Sequence, residues 1–353
     1  IKRNKSLNMK ENNSKLYYPF SKRPPDGDTL EVASSIYWLR MPLPIALNHI
    51  NLWLLEGNEG WTIVDTGMVT DESKTIWSKL FENSFKAKPL EKLVVTHMHL
   101  DHSGLAGWLA DKWKIDPYFT EKEFLETLKI SHGMGHKQRK MSLDYYKKCG
   151  YDKESLQHFI ERIEYRKSLV SKLNKSFKHI KDQEILKLSD GEWKIIVAKG
   201  HSPEHACLYS EKKNIFICGD ILLPRITPNV SVNPANPDSN PLRDWLESLE
   251  KIKQSIPHDV LVLPSHGYPY QGAHRRIEAI VNNHHEKLER IYQYIDEPKS
   301  VTELFPVLFD SKINQHTLVL AVGETMSHLN YLVAENRLIK SIDEKGLYLF
   351  SRT

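Results

Sequence analysis

Three histidines and one aspartate lie within the six residues 97–102, one residue after the apolar run 93–95. His97, His99 and Asp101 are two positions apart, so in an extended or tightly turning segment their side chains can point the same way. His102 directly follows Asp101 and must point elsewhere, toward a second metal. Imidazole nitrogen and carboxylate oxygen are ligands of zinc and other divalent metals. The segment is therefore predicted to be a metal-binding cluster, not a polar loop with incidental histidines.

Four further short blocks accompany apolar runs elsewhere in the chain. They are Val-Asp-Thr-Gly at 64–67, Gly-His-Ser-Pro-Glu-His at 200–205, Cys-Gly-Asp at 218–220 and Pro-Ser-His-Gly at 264–267. Together with the histidine cluster, they occur in the order used by the metallo-β-lactamase superfamily. The chain resembles that family over roughly residues 36–285, and five blocks in order form a far more specific signature than any one of them.

The resemblance implies seven ligands for two divalent metal ions: three at a first site, three at a second and one bridging carboxylate. In that order the ligands are His97, His99 and His201; Asp101, His102 and His266; and Asp220. The metals are expected to be Zn²⁺, with iron or manganese as alternatives. Two such ions can share a hydroxide, because a metal lowers the pKa of bound water from about 15.7 toward 7. Asp101 is expected to act catalytically as well, by accepting the proton of the attacking water.

Five other residues are candidates for supporting or substrate-binding roles. Asp65, at the end of its strand, is expected to orient a ligand histidine, and His205 to anchor the ligand loop or a neighbouring ligand. Tyr268 could donate a hydrogen bond to an oxyanion or pack against nearby prolines. His132 and His136 flank a Gly-Met-Gly segment, which disfavours a helix. These two histidines belong to a substrate-contacting loop or have a solvated or packing role.

The expected fold is α+β, the αββα sandwich that the resemblance implies. Two halves rich in β-strand patterns, each with helices outside, fit two packed sheets. Residues 1–25 are predicted to form a flexible tail, and residues 26–295 the catalytic domain. Within that domain, residues from about 121 to 180 have helical periodicity and few strand signals, which predicts a helical insertion that forms a lid or pocket wall.

Residues 296–353 are predicted to form a small C-terminal domain that resembles a winged helix, with helices followed by a two-stranded hairpin. Winged helices often bind DNA, but the dense positive charge that phosphate contacts need is absent here. Packing beside the active-site mouth, or formation of a homodimer, is therefore favoured over nucleic-acid binding.

The composition excludes several classes of protein. Of 353 residues, 40% are hydrophobic and 27% charged, with a net charge of +4 and three cysteines. Such a small charge does not predict nucleic-acid binding, and so few cysteines do not form a disulfide framework. No apolar run reaches the roughly 18 residues of a membrane span, and residues 1–15 lack the apolar segment of a secretory signal. A cytoplasmic protein with no membrane partner is expected.

The predicted function is hydrolysis of an ester-like bond, a thioester or ester of a small molecule, as in the glyoxalase II-like branch of the family. The alternative is a phosphodiesterase or endoribonuclease acting on single-stranded RNA, although the sequence shows no basic stripe with interleaved aromatic residues. Lactonase and β-lactamase activities are less favoured, because true β-lactamases of the family usually lack a bridging aspartate at the position of Asp220. A metal-stabilised DNA-binding sensor is the non-enzymatic alternative.

Overall fold

Two β-sheets form the centre of the computed structural model, which describes residues 16–45, 47–83, 85 and 88–353. Among these residues the first sheet has seven strands in sequence order: β1 (Thr29–Ala33), β2 (Ile36–Pro42), β3 (His49–Glu56), β4 (Trp61–Val64), β5 (Leu90–Val94), β6 (Tyr118–Phe119) and β7 (Lys178–His179). The second comprises β8 (Ile185–Leu188), β9 (Gly191–Ala198), β10 (His205–Ser210), β11 (Ile215–Gly219) and β12 (Leu261–Pro264), in the order β12-β11-β10-β9-β8.

Alternating side chains place the two sheets face to face. In β2, Trp38 packs in a core shared with Trp193 and Ile217 of the second sheet. Its neighbour Leu39 points the other way, into a core shared with Trp77 of a flanking helix. This period-2 alternation gives each sheet one face against its partner and one against helices. The expected α+β class and αββα sandwich are confirmed.

Helices cover both outer faces. They are α1 (Asp71–Asn83), α2 (Leu100–Ser103), α3 (Ala106–Trp113), α4 (Glu121–His132), α5 (His136–Lys148), α6 (Lys153–Ser168), α7 (Pro241–Ser255) and α8 (Ala273–Tyr294). Local sequence explains where several of them begin: the Asp152 side chain accepts a hydrogen bond from the Ser155 amide at the start of α6. Asn240 does the same for the Arg243 amide at the start of α7, which also has proline in its first turn.

The helices α4, α5 and α6 occupy the region where the helical insertion was predicted. The strand β7, at the end of the predicted range, belongs instead to the first sheet and pairs with β6. The insertion therefore leaves the sandwich after β6 and returns to it at β7.

The C-terminal region contains β13 (Lys299–Ser300), a 3-10 turn (Thr302–Leu304), α9 (Phe305–Leu308), α10 (Leu318–Ala334), β14 (Leu338–Ile342) and β15 (Tyr348–Arg352). Its strands form a sheet in the order β13-β15-β14. Buried residues of α10 share one core with the second sheet, so this region packs directly on the sandwich. The predicted hairpin is present, while the winged-helix assignment stays a prediction.

The predicted tail boundary at residue 25 is too late. Tyr17 and Gln271 exchange two backbone hydrogen bonds, of 3.1 and 2.8 Å, so the chain is already attached to the sandwich at that point. Residues 1–15 lie outside the described part of the chain. None of the described helices is long and apolar enough to span a lipid bilayer.

Candidate metal centre

The predicted ligands meet because their strands end at one edge of the sandwich. Parallel pairing of β4 with β5, and of β11 with β12, brings the C-terminal ends of each pair together. His97 lies three residues beyond β5, and Asp220 directly follows β11. The two edges are joined by a 2.8 Å hydrogen bond from the Ala206 amide to the Thr96 carbonyl. Side chains separated by more than a hundred residues therefore share one pocket.

Three imidazoles and a carboxylate form the first cluster, which could hold a metal ion. The Nε2 atom of His97 lies 2.9 Å from Nδ1 of His99 and 3.2 Å from Nε2 of His201. Oδ2 of Asp220 lies 3.5 Å from His201 Nε2 and 3.9 Å from His97 Nε2. Ligands about 2.0–2.2 Å from a tetrahedral zinc ion are roughly 3.3–3.6 Å apart. The four observed spacings, from 2.9 to 3.9 Å, bracket this range, so the four side chains are close enough together to share one ion.

A second cluster contains Asp101, His102 and His266. Oδ2 of Asp101 lies 3.3 Å from His266 Nε2 and 3.6 Å from His102 Nε2. Oδ1 of Asp220 lies 3.4 and 3.5 Å from the same two nitrogens. Each carboxylate oxygen of Asp220 thus faces a different cluster, which is the geometry of a bridging ligand.

Three buried atoms in this second cluster lack a hydrogen-bond partner among the described residues: His102 Nε2, His266 Nε2 and Asp220 Oδ1. Buried polar atoms without partners are rare, because each costs the free energy of its lost hydration. These three converge on one point, where a divalent cation would satisfy all of them. The residues therefore fit a second metal ion.

Hydrogen bonds on the outer side of the rings fix which nitrogen faces inward. Nδ1 of His201 donates to the Asn229 carbonyl at 2.8 Å, and Nδ1 of His266 donates to the His49 carbonyl at 2.8 Å. A ring that donates through Nδ1 keeps the Nε2 lone pair free for a metal. The tautomers of both histidines are therefore preset for metal binding.

The structure places Asp65 where the sequence predicted it. Its carboxylate accepts a 2.7 Å hydrogen bond from His102 Nδ1 and two bonds of 2.8 Å from the amide and hydroxyl of Thr96. Asp65 has a left-handed backbone (φ 65°), which is rare for a residue other than glycine. The carboxylate thus orients one ligand ring and the start of the ligand segment together.

His205 lies behind the centre and supports it. Its Nε2 accepts a 3.2 Å hydrogen bond from the Asp220 amide, and its ring stacks on that of His97 at 4.6 Å. A Cβ atom on Gly219 (φ 52°) would lie only 2.3 Å from His205 Nε2, so this close approach requires glycine. This is the anchoring role that the sequence analysis favoured for His205.

A model of the metallo-β-lactamase superfamily matches residues 46–266, well over half of the chain. The chain belongs to the metallo-β-lactamase superfamily. A second model, of the metallo-β-lactamase-like C-terminal domain, matches residues 288–353.

Relatives cover nearly the whole length. The chain is 26% identical over 328 residues to the probable metallo-hydrolase YqjP of Bacillus subtilis (strain 168), an overlap of 88% of this chain and 96% of that protein. The crystal structure of a β-lactamase domain protein from Burkholderia ambifaria has a TM-score of 0.88 at 33% identity, covering 96% of this chain and 98% of the other. The metallo-β-lactamase family protein TTHA1429 of Thermus thermophilus has the same fold, with a TM-score of 0.78 at 24% identity over 92% of this chain and all of the other. The protein is thus a metallo-hydrolase of the superfamily.

The electrostatics of the two ligand clusters differ. Burial and neighbouring imidazoles lower the pKa of His97 far below its usual value, and burial, followed by the His201 ring, lowers the pKa of His99 to about 3. Neutral imidazole is the form that binds metal. Burial opposes a charge on His102, but Asp220, Asp65 and Asp101 outweigh it and raise the pKa of His102. A proton and a metal ion therefore compete for the His102 nitrogen.

Sequence reasoning missed Glu123, a buried carboxylate on α4 that links the two ligand segments. It accepts hydrogen bonds from the Met98 amide at 2.9 Å, the Ser202 hydroxyl at 2.6 Å and the Glu204 amide at 2.7 Å. Burial raises the pKa of Glu123 to about 7, although the three donors favour the ionised form. No motif marks this residue, and its burial becomes visible only in the folded chain.

A cavity of about 590 Å³ opens beside the centre and reaches His99 and His201. Besides the ligand segments 98–99 and 199–203 and the start of α7, three regions line it: the insertion helices α4 to α6, the loop 229–239 and the start of α10, with Val319 and Leu320. A cavity of this size accommodates a small organic molecule. The insertion therefore forms a pocket wall, as predicted, and the C-terminal domain borders the same pocket.

The three predicted substrate-binding residues lie outside the lining of this cavity. Tyr268 instead packs its ring edge-on against Trp38, with 5.5 Å between centroids. His132 ends α4 and His136 begins α5, and both are exposed. The exposed positions of both histidines fit the solvated role that the sequence left open, while the Gly133–Met134 segment between them lines the cavity. Substrate contact by these three residues stays a prediction.

Proposed function

We propose that the protein is a dinuclear metal-dependent hydrolase that cleaves an ester-like bond, a thioester or ester, of a small molecule. The observation that carries this proposal is the bridging position of Asp220, whose two oxygens face two separate ligand clusters within 3.4–3.9 Å. When bound, two divalent ions would lower the pKa of a water molecule and polarise the scissile carbonyl.

The chain's own residues have distinct roles in this scheme. The three imidazoles of the first cluster would hold a metal ion beside the cavity, which reaches His99 and His201 and which the substrate would enter. Asp101, a ligand in the second cluster, accepts the proton of the attacking water. In the metal-free chain, the charges of His102 and His266 outweigh the effect of burial and lower the pKa of Asp101 to about 2, so this carboxylate is ionised.

Zinc is the metal that the donor set supports best, with iron and manganese as alternatives. The seven proposed ligands supply imidazole nitrogen and carboxylate oxygen, without thiolate. Cys207 and Cys218 are buried in strands, and burial raises the pKa of both thiols far above the usual value. These cysteines therefore stay protonated and do not compete for the metal.

Cleavage of single-stranded RNA is the second candidate, because five cationic side chains line the cavity: Lys122, Lys129, Arg162, Arg166 and Lys199. Two of them are already neutralised, since Lys122 pairs with Glu204 and Lys129 with Glu126. The cavity is also of the size of a small molecule, which supports an ester over a polymer.

The C-terminal domain is proposed to shape the pocket. Val319 and Leu320 of α10 contribute directly to the cavity wall. The Asn229 side chain, whose backbone carbonyl holds His201, donates to Glu324 on the same helix at 3.1 Å. Dimerisation through this domain stays a prediction.

The test is a substrate panel offered to protein loaded with zinc, iron or manganese in turn. Thioesters and esters, lactones, a β-lactam, phosphodiesters and single-stranded RNA are compared at equal protein concentration. Turnover of thioesters or esters, lost in His99→Ala, is the expected result. Cleavage of RNA or phosphodiesters alone, with salt-sensitive binding, would contradict the ester assignment.

A further inference from the structure

One face of the insertion helix α6 forms part of the cavity wall. Phe159, Arg162, Ile163 and Arg166 all line the cavity. Their spacing of i, i+3, i+4 and i+7 is that of a single helical stripe. A helix that faces a dry pocket is expected to present an apolar stripe, but two of the four residues in this stripe are arginines. We call Arg162 and Arg166 the arginine pair.

The arginine pair has few partners among the described residues. The side chain of Arg166 makes no hydrogen bond or ion pair there. Arg162 donates through Nη1 to the His316 carbonyl at a long 3.4 Å, and its buried Nε has no partner within that part of the chain. The two carboxylates of α6 that flank the pair are engaged elsewhere: Glu161 with Gln157 and His158, and Glu164 with Arg139. Two like charges at positions i and i+4 therefore face the cavity without a carboxylate ion-pair partner.

This arrangement is unfavourable without an anion. Like charges one helical turn apart repel each other, and the partial burial of both side chains weakens the screening of this repulsion by water. Burial, followed by the charge of Arg162, lowers the pKa of Arg166, whereas Tyr146 and Asp101 favour its charged form. If Asp101 binds metal, as proposed above, its charge is shared with a cation and no longer compensates Arg166.

We propose that the arginine pair binds an oxyanion of the substrate, a carboxylate or a phosphate, away from the scissile bond. The guanidinium fork matches both groups and can bind them through two parallel hydrogen bonds. Phe159 and Ile163 of the same stripe, with Tyr146 from α5, supply apolar contacts for the segment that joins the oxyanion to the ester. The substrate is then an anionic thioester or ester, an assignment that rests on the proposed function.

Matched substrates distinguish the sources of the oxyanion. Glutaryl-pantetheine and valeryl-pantetheine differ by a terminal carboxylate, so comparing them tests recognition of a carboxylate. Butyryl-4′-phosphopantetheine and butyryl-pantetheine differ by a phosphate, so this second pair tests recognition of a phosphate. The variants are Arg162→Gln, Arg166→Gln and the double variant. Arg139→Gln is the matched control, since Arg139 pairs with Glu164 and does not line the cavity.

The wild-type protein is expected to prefer one anionic substrate over its neutral partner by roughly 10- to 100-fold in kcat/KM. The preference should fall to within about threefold in the double variant and persist in Arg139→Gln, while turnover of the neutral substrate is retained. The melting temperature of Arg166→Gln should not decrease, because this side chain has no ion-pair partner to lose.

Three outcomes would overturn the subsite. They are equal turnover of both members of each pair by the wild type, a preference unchanged in the double variant, and a lower melting temperature of Arg166→Gln than of Arg139→Gln. In each case turnover of the neutral thioesters would leave the proposed function intact.

If no thioester or ester is cleaved by the metal-loaded protein, the proposed function fails separately. The arginine pair is then judged by calorimetric titration of glutarate and of inorganic phosphate into metal-loaded wild type and double variant. Binding of either that is lost in the double variant supports the subsite, and equal binding by both proteins rejects it.

Discussion

The metal-binding cluster and the cavity wall on α6 are built on opposite principles. In the cluster, His102, His201 and His266 are each held by an outer hydrogen bond of 2.7–2.8 Å, and their inner atoms converge. On the wall, Arg162 and Arg166 project toward the cavity with few partners in the described chain. A preorganised cluster serves a fixed reaction, whereas weakly partnered charges serve recognition. We therefore expect changes in the cluster to abolish turnover and changes in the wall to alter substrate choice.

The largest effect is expected for His99→Ala, because this ring contributes a nitrogen to the first cluster on the side that the cavity reaches. Turnover should fall by more than about 1,000-fold, and at least one equivalent of metal should be lost. Metal content and kcat are measured on the same preparation. His285→Ala, at an exposed position of α8, is the control. Full activity in His99→Ala would show that the cluster does not perform the chemistry.

A smaller loss is expected when the ligands stay and their orientation is relaxed. Asp65→Asn keeps the shape of the side chain but changes its bonds to His102 and Thr96. Metal affinity or turnover should fall by roughly 10- to 100-fold. Competition with a chromophoric chelator measures the affinity, and Asp71→Asn at an exposed site is the control. An unchanged affinity would mean that the ligand rings need no such support.

Glu123→Gln tests the connection between insertion and cluster. The amide nitrogen would face donors that now bind a carboxylate, so the free energy of unfolding should fall by about 2 kcal/mol. Chemical denaturation measures it, with Glu121→Gln at an exposed position of the same helix as control. A loss equal to that of the control would show that the buried carboxylate is dispensable.

The same variant has a signature in its pH dependence. The folded-state pKa of Glu123, about 7, lies above its usual value of 4.5. Its protonated form therefore adds stability that is complete below about pH 4.5 and is lost as the pH rises through 7. In metal-free protein, the stability of the wild type should decline between these pH values more steeply than that of Glu123→Gln. If the stability of the wild type and of Glu123→Gln changed with pH in parallel, Glu123 would not take up a proton in this pH range.

The smallest effect is expected for His132→Ala and His136→Ala, which lie beside the cavity but are exposed. Each should change kcat/KM by less than about twofold, in the range of surface substitutions. Steady-state kinetics on the best substrate of the panel checks this. A tenfold loss of kcat/KM in either variant would show that the histidine contacts the substrate. It would also contradict the expected difference between the metal-binding cluster and the cavity wall.

The cluster could be predicted from the sequence because each ligand follows an apolar strand within a short motif. The order of these motifs resembles that of a known family, and this resemblance implied that the side chains after the strand ends, such as His97 and Asp220, form one site. Asp65 and His205 were found for the same reason, since both flank these strand ends.

The cavity wall could not be predicted in this way. Glu123 acts through contacts with residues about 80 positions away, which no local pattern records. Helical periodicity identified the insertion but did not show which face of α6 turns toward the metal centre. The sequence therefore contained no sign that the arginine pair lines the cavity. His132 and His136 attracted attention by residue type alone, and the short segment between them, not their rings, reaches the cavity.

The most direct test of the central claim is metal content measured together with turnover during chelation and reconstitution. The dinuclear arrangement predicts about two equivalents of metal per chain, turnover that disappears as they are removed and recovery when zinc is restored. An enzyme that stays fully active after exhaustive chelation would contradict it.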